Sequence, residues 1–106
     1  MLLTTTSNLE THKVREYLGL VTGETIIGTN AFKDMFASIR DVVGGRSGSY
    51  ERTLREAKDS ATQEMVDLAR QMGADAVIGI DLDYSSIGSS NSMLMVTVTG
   101  TAVRIG

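Results

Sequence analysis

The sequence predicts an α+β fold of two layers, with two helices on one face of a mostly antiparallel sheet, and three observations lead there. One apolar stripe, Leu54, Ala57, Ala61, Met65, Leu68 and Met72, steps by three and four as a helix face must. Two other segments, Ala76 to Tyr84 and Met93 to Ile105, alternate apolar and polar residues with the period of a strand. Glycines then punctuate the boundaries, at Gly28, at Gly44 and Gly45, and at Gly73.

Taken in order, Leu2 to Thr6 is short and threonine-rich, as a small edge strand would be. Val14 to Ile27 is rich in branched and aromatic residues but interrupted by Gly19 and Gly23. It reads as one long strand with a bend or bulge, or as two short ones. Asn30 suits the N-cap of a first helix over about Ala31 to Val43, in which Phe32, Met35, Phe36, Ile39 and Val43 share a face. A second helix follows from about Tyr50 to Met72, with Ser49 as its cap, Glu51 and Arg55 as an outer pair, and Gly73 in the left-handed position past its end.

In the strand after Gly73, Ile78, Ile80 and Leu82 would point to the helices, and Val77, Gly79, Asp81 and Asp83 away from them. Ser85 to Ser92 has the composition of an exposed eight-residue connection. In the last strand Leu94, Val96 and Val98 would face the helices. Met93, Met95, Thr97, Thr99 and Thr101 would line the far face with the aspartates. A far face that mixes apolar, small and acidic groups suits a subunit contact or the wall of a channel.

Composition narrows the function classes. The 106 residues fit one domain, small enough that an added interface would help its burial. A net charge of −3 and a pI near 5.0, without a basic stripe, argue against nucleic acid as a partner. With no cysteine there is no disulfide, thiol nucleophile, Fe–S cluster or thiolate metal site. The N-terminus has neither a basic region nor an apolar core of ~7–15 residues, so no signal peptide is expected. No apolar run approaches the ~20 residues of a membrane span. A soluble cytoplasmic protein without a membrane partner is therefore expected.

The ordered motifs GLVTGETIIGTNAFKDMFASIRDVVGGRSGSYE (Gly19 to Glu51), GADAVIGIDLDY (Gly73 to Tyr84) and SMLMVTVTGTAV (Ser92 to Val103) closely resemble the YbjQ-like family, whose label is heavy-metal binding and whose function is unassigned. The resemblance covers nearly the whole chain. It implies a dodecin-like two-layer subunit assembled as a homopentamer, with short extra strands promoting assembly, and a metal as bound group. It carries over no catalytic residue.

Two candidate sites come from the residues themselves. Asp81 and Asp83 leave the same face of a strand ~6.6 Å apart, too far to share one proton but placed to supply oxygen ligands to a divalent metal ion, the one cofactor class they suit. Repeated by symmetry they would ring a pore; the plainer reading is a solvated strand end. Gly44, Gly45, Arg46, Ser47, Gly48 and Ser49 precede a helix N-terminus, where free N–H groups, the helix dipole and a guanidinium favour an anion. It lacks the Gly-Lys-Ser/Thr of a phosphate loop and the preceding strand of a dinucleotide site. The plainer reading is a tight turn.

His12 is the only imidazole, and one histidine without cysteine cannot close a tetrahedral site within one chain. Met93 and Met95 offer thioethers to copper(I), although methionine at strand positions is usually packing material. No GxSxG elbow accompanies the serines. The expectation is a non-enzymatic homo-oligomer, a pentamer as the family resemblance implies, binding a metal ion or small anion between subunits. Its competitors are an enzyme that uses interface carboxylates, with Glu24, Asp34 and Asp41 as further acids, and a structural or partner-binding module.

Overall fold

The computed structural model describes residues 1–31 and 48–106. Its elements are β1 (Leu2–Leu3), β2 (Val14–Ile27), α1 (Gly48–Gln71), β3 (Ala76–Ile87) and β4 (Met93–Ile105), with a short 3-10 turn at Ser89–Asn91. The strands form one sheet of order β1-β3-β4-β2, parallel between β1 and β3 and antiparallel in the other two pairs. The fold is α+β with a mixed sheet. Thr29, Asn30 and Ala31 are helical, so Asn30 lies within the helical residues rather than at the cap; Phe32 to Val43 of the first predicted helix lie outside the described residues. Gly48 and Ser49 are likewise already helical, which removes Ser49 from the cap position.

Helix α1 buries Ala57, Ala61, Met65, Val66 and Ala69, with Leu54 and Met72 packed partly against them. Leu68, expected inside, is 37% exposed, and Ala69 takes the inward position instead. The reason is the closeness of the helix to the sheet. A β-carbon on Gly23 would collide with the carbonyl oxygen of Ala61 and stand 2.8 Å from the Met65 backbone nitrogen. Gly23 is thus no bend. It is the point on β2 where the helix backbone rests, and alanines line the approach because larger groups would hold the layers apart.

The helix ends as the sequence predicts. The Gly73 amide donates to the Arg70 carbonyl at 3.0 Å and the Ala74 amide to the Ala69 carbonyl at 3.0 Å, a Schellman closure with Gly73 at φ +83°. Arg104 on β4 clamps this end, its Nε donating to the Gly73 carbonyl at 3.2 Å and its Nη1 pairing with Glu16 at 3.2 Å.

Strand β2 is a single strand, with register shifts near its start and Gly19 at φ +131°. Strand β4 follows its predicted alternation: Val96, Val98 and Ala102 are sealed in the core under the helix. Strand β3 does not. Its register against β4 shifts between Ile78 and Asp81, with Gly79 at φ +61°, the signature of a glycine bulge. Val77 therefore packs with the helix-side core, while Ile78 joins Ala76 and Val103 on the opposite face, beneath Leu9, Val14 and Ile105. Both are the reverse of the simple alternation. Past the bulge, Ile80 packs against the helix-side core. Strand β3 continues to Ile87, so the hairpin connection is Gly88 to Ser92, shorter than composition suggested.

Two substitutions check these constraints. Gly23→Ala should destabilise the protein by about 1–3 kcal/mol or more in urea unfolding, as overpacking against fixed backbone does. At Gly79 a β-carbon meets nothing within 4 Å, so only the left-handed backbone is penalised. Gly79→Ala should cost roughly 1–2 kcal/mol and Gly79→Asn less, because Asn tolerates that conformation. Equal losses for Ala and Asn would contradict the assignment.

Candidate functional site

The bulge at Gly79 decides where the acids of β3 point. If β3 alternated without interruption, Asp81 and Asp83 would share the face of Val77, on the helix side of the sheet. The extra residue turns them outward. Beyond it Asp81 pairs with Thr99 and Asp83 with Thr97. On the other side of β4, Thr99 pairs with Thr22 and Thr97 with Glu24. Two rows thus cross the far face, Asp81-Thr99-Thr22 and Asp83-Thr97-Glu24, because residues paired across strands share a face.

Both aspartates are exposed and close enough to influence each other. The charge of Asp81 first, and then a hydrogen bond to Asp81 when Asp83 is protonated, hold the Asp83 carboxyl above its ordinary value. The two carboxyls therefore influence each other across the two-residue spacing. A like-charged pair of this kind attracts a cation or a proton.

The other candidates are not brought to this pair. His12 is exposed, with Nδ1 2.8 Å from the Thr11 hydroxyl. Met65 is fully buried in the core and Met72 packs against it, while Met93 and Met95 are half-buried in β4. Gly48 and Ser49 open α1, whereas Gly44, Gly45, Arg46 and Ser47 lie outside the described residues. Among the described residues no group of three or more His, Cys, Asp or Glu side chains converges as a metal site.

A second feature of the same face was not anticipated. Tyr17, Leu20 and Ile26 are 69%, 75% and 55% exposed. Their partners on β4 are Val103, Thr101 and Met95, which puts all three on the far face. The signal was present in β2 itself, where Val21, Gly23 and Ile27 are buried and the residues between them are not. The two glycines obscured it.

The family profile described as "Putative heavy-metal-binding" matches residues 1–106. In structure, the chain is similar to the crystal structure of a protein of unknown function from Pediococcus pentosaceus, of the DUF74 family. That match has 15% identity and a TM-score of 0.63 and covers 100% of this chain and 98% of the other, a likeness of fold. The side chains present do not fit a heavy-metal centre of the thiolate or imidazole kind: the chain has no cysteine and one histidine, already engaged by Thr11.

The coupling of the two aspartates predicts a pH effect with a definite sign. Because Asp83 binds its proton more tightly folded than unfolded, its contribution to stability is present at acid pH and is lost as pH rises from the ordinary value of 3.8 through the raised one. In a carboxyl-carbon NMR titration, Asp81→Asn should lower the Asp83 midpoint toward the ordinary range. An unchanged midpoint would show that Asp81 does not set it.

Proposed function

The chain belongs to the YbjQ-like family, and from its exposed sheet face we propose that it works as a self-assembled, non-enzymatic binding protein of the cytoplasm. Identical copies join through β2 and the far face of the sheet. The observation that carries this is the trio Tyr17, Leu20 and Ile26, large apolar side chains left in water on a strand at the edge of the sheet. Among the described residues no strand pairs with the outer edge of β2, and long unpaired edges with apolar neighbours recruit further strands. The shape agrees: the Cα radius of gyration is 16.6 Å, where a compact chain of this length has about 13 Å. Five copies in a dodecin-like arrangement is the number the family resemblance supports.

Assembly would also complete a binding site that one chain leaves short. Asp81 and Asp83 supply two carboxylates on one face, and symmetry would multiply them into an oxygen-lined ring suited to a divalent cation. The segment from Gly44 to Ser49, with Arg46, is the proposed seat of a small anion, by the same helix-terminus chemistry that its sequence suggests.

Light scattering should give a mass several times the 11.4 kDa of the chain, with five copies expected. Leu20→Glu combined with Ile26→Glu should shift it toward the monomer while circular dichroism remains that of an α+β chain. A concentration-independent monomer mass for the unaltered protein would reject the proposal. In the assembled protein Asp81→Asn with Asp83→Asn should reduce manganese binding at least tenfold, and retention of full affinity would place the cation elsewhere.

A further inference from the structure

The donor groups of this chain point away from the metals that its family description names. Thiophilic cations such as cadmium, mercury and copper(I) are held tightly by thiolates, and zinc by thiolates and imidazoles in closed four-coordinate sites. The whole sequence offers no thiolate and one imidazole. That imidazole lies in an exposed segment, with one ring nitrogen already 2.8 Å from a hydroxyl. The remaining soft donors are thioethers, and two of them pack in or against the core, while Met93 and Met95 are half-buried in β4. Met65 is fully enclosed by the core and Met72 is packed against the same cluster. A sulfur in such a place fills volume and reaches a metal only if the helix lifts from the sheet, which the backbone contact at Gly23 opposes.

From this mismatch we infer that the protein is not a sequestering site for thiophilic heavy metals, and that any cation it holds is held by oxygen. The consequence is an order of preference. Manganese and calcium, which accept carboxylate, carbonyl and water oxygens, rank above cadmium, mercury and copper(I). The inference goes beyond the assembly proposed above and does not require it, because multiplying a chain by symmetry multiplies the donors it has and adds no thiolate. Two soft arrangements survive symmetry, a ring of His12 imidazoles and a ring of Met93 or Met95 thioethers, and each has its own control.

The test is equilibrium dialysis of the full chain, purified without an affinity tag, against cadmium, mercury(II), copper(I) and manganese singly. Bound metal is measured by mass spectrometry, and assembly mass by light scattering on the same sample. At about 1 µM free metal, the affinity range in which thiolate and multi-imidazole sites saturate, cadmium, mercury and copper(I) should each stay well below one ion per assembly. Their retention should be unchanged in His12→Ala and in Met93→Leu combined with Met95→Leu. Cadmium, mercury or copper(I) bound at one ion per chain or one per assembly would overturn the inference; loss of that binding in His12→Ala would identify the imidazole ring as its cause, and loss in Met93→Leu with Met95→Leu the thioethers. A monomeric mass with the same lack of thiophilic binding would reject the assembly and leave this inference standing, so the two fail separately.

Discussion

The structure depends on one added residue in β3. A strand next to the centre of the sheet has to place its two halves on opposite faces: its first half puts Val77 into the helix-side core, and its second half carries two carboxylates on the far face. A strict two-residue alternation cannot do both, since Val77, Asp81 and Asp83 have the same parity. The bulge at Gly79 reverses the parity between them. The register shift leaves Val77 in the core and turns both aspartates to the far face, where Thr97 and Thr99 stand opposite.

The same reversal explains what the sequence revealed and what it concealed. The helix Gly48–Gln71 and its glycine stop were legible because a stripe at helical spacing and a left-handed residue are local signals. The face pattern of β4 was legible too, its valines and threonines alternating without interruption. In β3 the far-face position of Asp81 and Asp83 emerged correctly from an alternation that misplaced Val77 and Ile78, because a bulge is written in one glycine that composition cannot distinguish from a weak strand residue. Gly23 misled in the opposite sense. Its meaning lies in Ala61, far away in the chain, and only tertiary contact discloses that a helix backbone rests there.

Close packing on one face stands against exposure on the other. Helix α1 lies mainly over β2 and β4 and meets β2 closely at Gly23, while the large apolar side chains Tyr17, Leu20 and Ile26 of β2 are turned outward. The carboxylates of Asp81, Asp83 and Glu24 share that face with them. An apolar rim beside an acidic, threonine-lined centre is the distribution expected of a surface that meets copies of itself around an enclosed polar space. The site was therefore less legible than the fold: single residues such as Asp81 can be named from sequence, but a site of the proposed kind, shared between copies, would have no signature within one of them.

The central claim, that β2 and the far face are covered by further copies of the chain, is tested most directly by hydrogen exchange at the β2 amides that point away from β4. In the native protein those amides should be protected about as strongly as the ones bonded to β4, and their protection alone should fall when Leu20 and Ile26 are made acidic. Rapid exchange of the outward amides in the native protein, beside slow exchange of the inward ones, would show a free edge and contradict the account.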